Sequence, residues 1–173
     1  MTLEIQPFGS VHKPSRKKFS CGKISLDDYL NKQMSQDIRN RASTAYVLVN
    51  TPNLDILGYY TISASAIDIV DIDKDSVKKL PSYPSLPAML IGRLAIDENH
   101  KGKGYGSLLL VDSLKTILDL SKKVGICAVV VDALDQDALR FYQKFGFKSC
   151  QSKSMKLYLL ISSVETLLSE VGL

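Results

Sequence analysis

Three alternating glycines, Gly102, Gly104 and Gly106, stand where the sequence changes from a strand pattern to a helix pattern. Two lysines, Lys101 and Lys103, alternate with them. Glycine leaves the backbone uncovered, and the first turn of a helix presents unpaired N–H groups and a partial positive charge. Because such a turn binds phosphate, the spacing predicts that successive N–H groups surround a pyrophosphate.

The turn differs from the two better-known nucleotide-binding loops. The Gly-x-x-x-x-Gly-Lys-Ser/Thr pattern of a P-loop is absent, and Ser107 stands where a dinucleotide fingerprint needs its third glycine or alanine. The remaining interpretation is a pyrophosphate-binding turn of another type, formed by residues 101–107.

The segments around the turn predict the elements that position it. An apolar strand over residues 90–96 leads into the turn, and a helix with a wide apolar face follows over residues 105–123. The continuous apolar run at residues 126–131 is typical of a strand buried on both faces. Asp135 then caps a predicted helix over residues 136–145.

The remaining elements follow from the same patterns. Ser25 is predicted to cap an amphipathic helix that continues to Arg41, and the basic residues 12–18 predict a solvated loop, with a phosphate-facing patch as the alternative. The predicted strands are 2–7, 44–49, 56–64, 147–150 and 155–160, and the predicted helices are 74–80 and 164–171. This order predicts a mixed α/β sheet covered by helices.

Length and composition limit the class of protein. The 173 residues, of which 45% are apolar and 23% charged, fit a single domain over residues 1–173. The net charge of +4 suits a polyanionic ligand but is too low for a dedicated nucleic-acid-binding tail. Without a signal-type or membrane-spanning apolar run, we expect a cytoplasmic protein.

The few cysteines and histidines argue against metal and disulfide chemistry. Cys21, Cys127 and Cys150 have no paired spacing, so the sequence predicts neither a disulfide framework nor a zinc site. His12 and His100 lie outside any paired His/carboxylate pattern, and we therefore expect no metal.

The glycine turn resembles the signature of the GNAT superfamily of N-acetyltransferases, Gln/Arg-x-x-Gly-x-Gly/Ala, with Lys101 in the first place. A later segment is similar to a second block of that superfamily, which it matches at Asp135, Ala138, Phe141, Tyr142, Gly146 and Phe147. The resemblance implies acetyl-CoA as co-substrate and a central mixed, mostly antiparallel sheet flanked by helices.

Residues 19–37, 58–63 and 83–97 narrow the resemblance to the acetyltransferase toxins of bacterial toxin–antitoxin pairs. Enzymes of that subfamily acetylate the α-amino group of aminoacyl-tRNA and are neutralised by a small ribbon-helix-helix antitoxin. The resemblance implies acetyl-CoA, aminoacyl-tRNA and such an antitoxin as partners, and it leaves a homodimer open.

The resemblance also implies roles for individual residues. Tyr142 matches the general acid, because a phenol with a pKa of about 10 can hydrogen-bond or protonate the coenzyme A thiolate. Phe141 is expected in the core. The implied cofactor-binding residues are Leu94, Ala95 and Ile96 through backbone contacts to the pantetheine, Lys101, Gly102, Lys103, Gly104, Tyr105, Gly106 and Ser107 around the pyrophosphate, and Asp135.

The acceptor side has no predicted general base. An α-amino group has a pKa of about 7.7–8.0, and an adjacent ester lowers it, so part of an aminoacyl-tRNA pool is nucleophilic at neutral pH. Asp97 and Glu98 are interpreted as turn residues. Binding of tRNA depends on phosphate contacts, and the substrate-binding candidates are Arg93, Lys78 and Lys79.

Two other functions stay open at this point. One is acetylation of a protein N-terminus, a lysine or a small-molecule amine. The other is a non-catalytic module that binds coenzyme A or nucleic acid, against which the presence of Tyr142 argues.

Overall fold

The computed structural model describes residues 1–173 as strands and helices joined by short turns. The strands are β1 Thr2–Pro7, β2 Thr44–Thr51, β3 Asp55–Asp68, β4 Ser85–Ile96, β5 Ala128–Asp132, β6 Lys148–Ser149 and β7 Lys156–Leu160. The α-helices are α1 Ile24–Asp28, α2 Met34–Arg39, α3 Lys74–Val77, α4 Tyr105–Ser121, α5 Gln136–Lys144 and α6 Ile161–Glu170. Ser10–Lys18, Ile69–Asp71 and Glu98–His100 are 3-10 helices, and Tyr29–Gln33 is π-helical.

The strands form a seven-stranded sheet in the order β1-β2-β3-β4-β5-β7-β6. The pairs β1–β2, β2–β3, β5–β7 and β6–β7 are antiparallel, whereas β4 and β5 are parallel. A parallel pair needs a crossover connection, and α4 provides it between β4 and β5. The predicted mixed, mostly antiparallel sheet flanked by helices is therefore confirmed. None of the helices is long and apolar enough to span a bilayer.

The chain divides into two compact units, of which the N-terminal unit comprises residues 1–63 and 92–113. Its core contains apolar side chains from the N-terminal helical segments, β2, β3 and the end of β4, among them Leu30, Met34, Val47, Tyr59 and Ala95. In β3, Gly58 is required by close approach, because a Cβ there would lie 2.6 Å from Ile96 Cδ1 and 2.9 Å from the Ala95 carbonyl oxygen.

The predicted cap of the N-terminal helix was wrong. Helix α1 begins at Ile24 after Lys23, and no side chain caps it. Its first turn instead fastens the preceding loop, because Asp27 Oδ1 accepts a hydrogen bond of 2.9 Å from the Cys21 N–H.

The basic segment 12–18 is not the predicted loop but part of a 3-10 helix. Two of its polar side chains, His12 and Ser15, are buried. The Gly9 N–H donates to His12 Nδ1 at 2.9 Å, and Ser15 Oγ donates to the Leu54 carbonyl at 3.0 Å. These bonds order a segment whose charge pattern alone favours solvation.

The C-terminal unit comprises residues 64–91 and 114–173. Residues Ala88 to Ile91 of β4 pair with Ala128 to Val131 of β5, and β5 pairs on its other side with β7. Residues 128–131 are all fully buried, which confirms the predicted interior strand from residue 128 on, while residues 126 and 127 precede it and are half-buried. The adjoining core includes Ile67, Leu86, Tyr158 and Leu160.

A polar cluster around Asp73 fastens the start of α3 to β7. Asp73 Oδ1 accepts from the Ser76 N–H at 2.9 Å, and Oδ2 accepts from the Tyr158 hydroxyl at 2.7 Å, from Ser76 Oγ at 2.7 Å and from Lys148 Nζ at 3.2 Å. These hydrogen bonds, that of Tyr158 first, hold the pKa of Asp73 well below its ordinary value. The carboxylate therefore stabilises the folded state only while it is ionised.

We expect Asp73→Asn to lower the free energy of unfolding at pH 7 by about 2 kcal/mol, since hydrogen bonds to a charged group are lost. The folded-state pKa is depressed, so this stabilisation is present above the unfolded value of about 3.9 and is lost as pH falls below it. Urea unfolding between pH 3 and pH 7 measures both effects. The control is Asp75→Asn, because the Asp75 side chain is 96% exposed; equal urea midpoints for the two variants would contradict the assignment.

Candidate active site

In the N-terminal unit, the glycine turn after β4 has the uncovered backbone that its sequence predicts. Gly102 and Gly104 have φ angles of +76° and +80°, a region that favours glycine. A Cβ built on either residue has no heavy atom within 4 Å, so the turn faces open space. Leu108 N–H makes a helical bond of 3.0 Å to the Gly104 carbonyl. The N–H groups of residues 105–107 precede that bond and are free to meet an anion.

A buried carboxylate, Asp97, holds this turn from within. Its Oδ1 accepts from the Asn99 N–H and from His100 Nδ1, both at 3.1 Å, and its Oδ2 accepts from the Ser20 N–H at 3.1 Å. Burial raises the pKa of Asp97, but these hydrogen bonds, led by that of Ser20, outweigh burial and leave the pKa lowered. The interpretation of Asp97 as a turn residue fits these contacts.

The two lysines of the turn have different surroundings. Lys101 Nζ donates a hydrogen bond of 2.7 Å to the Cys21 carbonyl, and so ties the turn to the loop before α1. Lys103 is exposed. The Cys21 thiol beside this contact is buried, and burial raises its pKa to about 11. Sequence reasoning missed the Lys101 contact because its partner lies 80 positions away.

The end of β4 has backbone groups beyond its parallel pairing. The register with β5 covers Ala88 to Ile91, whereas β4 continues to Ile96. The side chain of Ala95 is buried in the core, and Leu94 and Ile96 are half-buried. Side chains at this end therefore serve packing, while the backbone of residues 94–96 keeps polar groups that β5 does not use.

In the C-terminal unit, helix α5 carries the two other predicted residues. Asp135 is its N-cap and accepts from the Ala138 N–H at 2.8 Å, which confirms the predicted capping. Tyr142 is buried, and burial raises the pKa of its phenol. Its ring packs against Phe141 at 5.2 Å and Phe147 at 5.5 Å between ring centroids. Phe141 itself is half-buried rather than fully in the core.

The Tyr142 hydroxyl contrasts with those of the other buried tyrosines, and burial alone raises its pKa, without a contribution from a hydrogen-bond partner. The others donate to protein oxygens: Tyr29 to Asp37, Tyr59 to Leu26, Tyr60 to Asp112 and Tyr158 to Asp73. Those four hydroxyls are committed to protein oxygens, so among the buried tyrosines Tyr142 is the candidate to meet a ligand.

The substrate-binding candidates are placed in different units. In the N-terminal unit, the Arg93 guanidinium carbon lies 3.5 Å from the centroid of the Tyr29 ring. In the C-terminal unit, Lys78 and Lys79 follow α3 and are exposed, and Lys78 lies 3.8 Å from Asp75. No group of three or more His, Cys, Asp or Glu side chains is arranged to hold a metal ion.

Comparison with known proteins relates this chain to one acetyltransferase family and to two toxins. Residues 56–149 match the family described as Acetyltransferase (GNAT) domain. The chain is 26% identical to a probable toxin TacT of Sinorhizobium fredii, over 95% of this chain and 94% of the relative. It is 28% identical to a tRNA-acetylating toxin of Mycobacterium tuberculosis, over 88% of this chain and 89% of the relative.

Three solved structures are similar to this chain over nearly its whole length. A tyrosine-to-phenylalanine mutant of KacT has a TM-score of 0.90 and 29% identity, covering 96% of this chain and 99% of its own. AtaT complexed with acetyl-methionyl-tRNAfMet has a TM-score of 0.87 and 30% identity, with 96% and 99% covered. An AtaT mutant bound to the C-terminus of the antitoxin AtaR and acetyl-CoA has a TM-score of 0.79 and 27% identity, with 96% and 98% covered.

The hydrogen bond between Lys101 and Cys21 predicts that Lys101 contributes to stability and that Lys103 does not. We expect Lys101→Met to lower the free energy of unfolding by about 1–2 kcal/mol, because a hydrogen bond from a charged group is lost. Lys103→Met is the matched control and should change stability by less than about 0.5 kcal/mol. Equal urea midpoints for the two variants would show that the Lys101 contact is not stabilising.

Proposed function

Since the chain belongs to the GNAT acetyltransferase family, we propose that it transfers the acetyl group of acetyl-CoA to the α-amino group of aminoacyl-tRNA, and that it blocks translation as a toxin. The observation that carries acetyl transfer is the open glycine turn, which follows a strand end whose backbone β5 does not pair. The choice of acceptor is supported by likeness to AtaT, whose solved complex contains acetyl-methionyl-tRNA.

In this proposal the N-terminal unit holds the cofactor. The backbone of residues 94–96 pairs with the pantetheine arm, and the N–H groups of residues 105–107 bind the pyrophosphate at the start of α4. Gly102 and Gly104 contribute by leaving that face uncovered. Lys103 adds an exposed positive charge beside it, while Lys101 secures the turn through Cys21.

The proposed reaction is a direct attack of the amine on the thioester. The nitrogen forms a bond to the acetyl carbon, the carbon–sulfur bond breaks, and its electron pair leaves on the coenzyme A sulfur. Tyr142 donates its hydroxyl proton, or a hydrogen bond, to that thiolate, and a donated proton is returned to the phenol from solvent. Because burial raises the pKa of Tyr142, the phenol is protonated at neutral pH and able to donate.

The proposed acceptor explains why no general base is needed. An α-amino group beside an ester is partly unprotonated at neutral pH, unlike a lysine with a pKa of about 10.4. Near the turn, Asp97 and His100 are bonded to each other, and Asp97 is buried. The amine therefore enters as the free base and releases its proton to solvent after attack.

Two partners complete the proposal. Arg93, Lys78 and Lys79 are proposed to contact tRNA phosphates, and a small antitoxin is proposed to neutralise the enzyme, as an AtaT mutant is bound to the C-terminus of AtaR. The place of action would be the cytoplasm, where charged tRNA is used.

The role of Tyr142 is tested by Tyr142→Phe, which keeps the ring and removes the hydroxyl. We expect kcat to fall about 100-fold, because general acid catalysis contributes at least that much, with the acetyl-CoA Kd changed less than about twofold. The control is Tyr83→Phe, on a side chain that is 64% exposed. Unchanged turnover of labelled acetyl-CoA in Tyr142→Phe would remove the catalytic assignment.

The acceptor is tested with labelled acetyl-CoA and purified protein. We expect label on charged tRNA and none on uncharged tRNA, polyamines or peptides, because only charged tRNA combines phosphates with a low-pKa amine. If only peptides or polyamines become labelled, the acceptor is one of these amines and not aminoacyl-tRNA. Absence of transfer to any amine, with coenzyme A still bound, would favour a non-catalytic binding module.

A further inference from the structure

The π-helical segment Tyr29–Gln33 brings two polar side chains onto one face. Met34 N–H bonds to the Tyr29 carbonyl, so one turn holds an extra residue. In a regular α-helix, residues eight apart point about 80° away from each other, and with one residue absorbed by the wider turn the difference falls to about 20°. Asp37 therefore lies beside Tyr29, whose hydroxyl donates to Asp37 Oδ2 at 2.9 Å.

These contacts fix the Tyr29 ring. Its hydroxyl also lies 3.1 Å from Ser43 Oγ, and its ring stacks on Tyr59 at 6.4 Å between centroids. Gln33 Nε2 donates to Asp37 Oδ1 at 2.9 Å, so both carboxylate oxygens are engaged. That bond, followed by those of Tyr29 and the charge of Arg93, holds the pKa of Asp37 below its ordinary value.

Arg93 uses the fixed ring as a platform. Its guanidinium carbon is 3.5 Å from the Tyr29 centroid, and its charge lowers the pKa of Asp37, whose two oxygens already accept from Tyr29 and Gln33. Stacking occupies the flat face of a guanidinium and leaves its N–H edges free, in the geometry that matches phosphate oxygens. Arg93 is half-buried, so these edges lack the full hydration of a surface arginine.

The position of Arg93 relates it to the acceptor. It immediately precedes residues 94–96, and Ala95, on the same face of β4 by strand alternation, packs in one core cluster with Tyr29. A phosphate bound at Arg93 thus lies on the helix-covered face of the strand whose backbone is proposed to hold the pantetheine.

We propose that Tyr29, itself held by Asp37 and Ser43, is a positioning residue that presents the edge of Arg93 to a backbone phosphate of the acceptor RNA. This inference rests on the proposed function, and it adds a device for orienting the substrate. Asp37 acts one step further away, through the Tyr29 hydroxyl.

The test measures KM for charged tRNA and for acetyl-CoA separately. Tyr29→Leu removes the platform, and we expect KM for charged tRNA to rise about tenfold, with the slope of log KM against log salt reduced by about 0.7–0.9 for one lost phosphate contact. KM for acetyl-CoA should change less than about twofold. Tyr46→Leu is the matched control, since Tyr46 is a half-buried tyrosine of β2 stacked on Tyr60.

A double-mutant cycle separates positioning from folding. If Tyr29 acts through Arg93, Tyr29→Leu has no further effect on KM for charged tRNA in an Arg93→Met background. If the double variant instead raises KM for charged tRNA by the product of the two separate effects, the inference is wrong. If Tyr29→Leu does not fold, Tyr29→Phe and Asp37→Asn replace it in the same cycle, each expected to raise KM for charged tRNA about threefold with Arg93 present.

Failure of the inference is distinguishable from failure of the proposed function. If the unaltered protein transfers no label to charged tRNA, the proposed acceptor is wrong. If it does transfer label while Tyr29→Leu keeps the original KM and salt slope, only the positioning role is wrong.

Discussion

The buried carboxylate of Asp97 holds the glycine turn in shape. It connects the end of β4, the 3-10 helix Glu98–His100 and the loop at Ser20 through hydrogen bonds to both of its oxygens. Burying a charge is unfavourable unless its hydrogen bonds are satisfied, and here they are. The Lys101 contact to Cys21 adds a second tie to the same loop. The protein thus supports the turn from one side and leaves the backbone at Gly102 and Gly104 uncovered on the other.

The buried tyrosines and Arg93 differ in the protein groups that their polar ends contact. Most buried tyrosines donate to protein oxygens and are thereby committed to structure, whereas burial alone raises the pKa of Tyr142. Arg93 stacks on the Tyr29 ring, and its charge also lowers the pKa of the Asp37 carboxyl, whose oxygens accept from Gln33 and Tyr29. Tyr142 and Arg93 thus share one feature, which is that aromatic rings hold the side chain in place.

Local signals in the sequence were sufficient to predict the glycine turn and the elements that flank it. The positive φ angles at Gly102 and Gly104, the buried strand β5 and the Asp135 cap all depend on neighbours in the chain. Contacts between distant residues, such as Arg93 with Tyr29, could not be predicted, because they require the fold to be known. The π-helical turn was also missed, since one added residue only rotates the apolar pattern. Ser25 was mistaken for a cap because the helix begins one residue earlier, at Ile24, so that Ser25 lies inside it.

The buried cysteines have a consequence for reactivity. A thioester acylates thiolates readily, and the thiolate is the reactive form of cysteine. Burial raises the pKa of both Cys21 and Cys150 to about 11, so both remain protonated at neutral pH. These two side chains are therefore unreactive toward an acyl donor. The protein is thereby insulated at these positions from accidental self-modification by a reactive metabolite that it is proposed to bind.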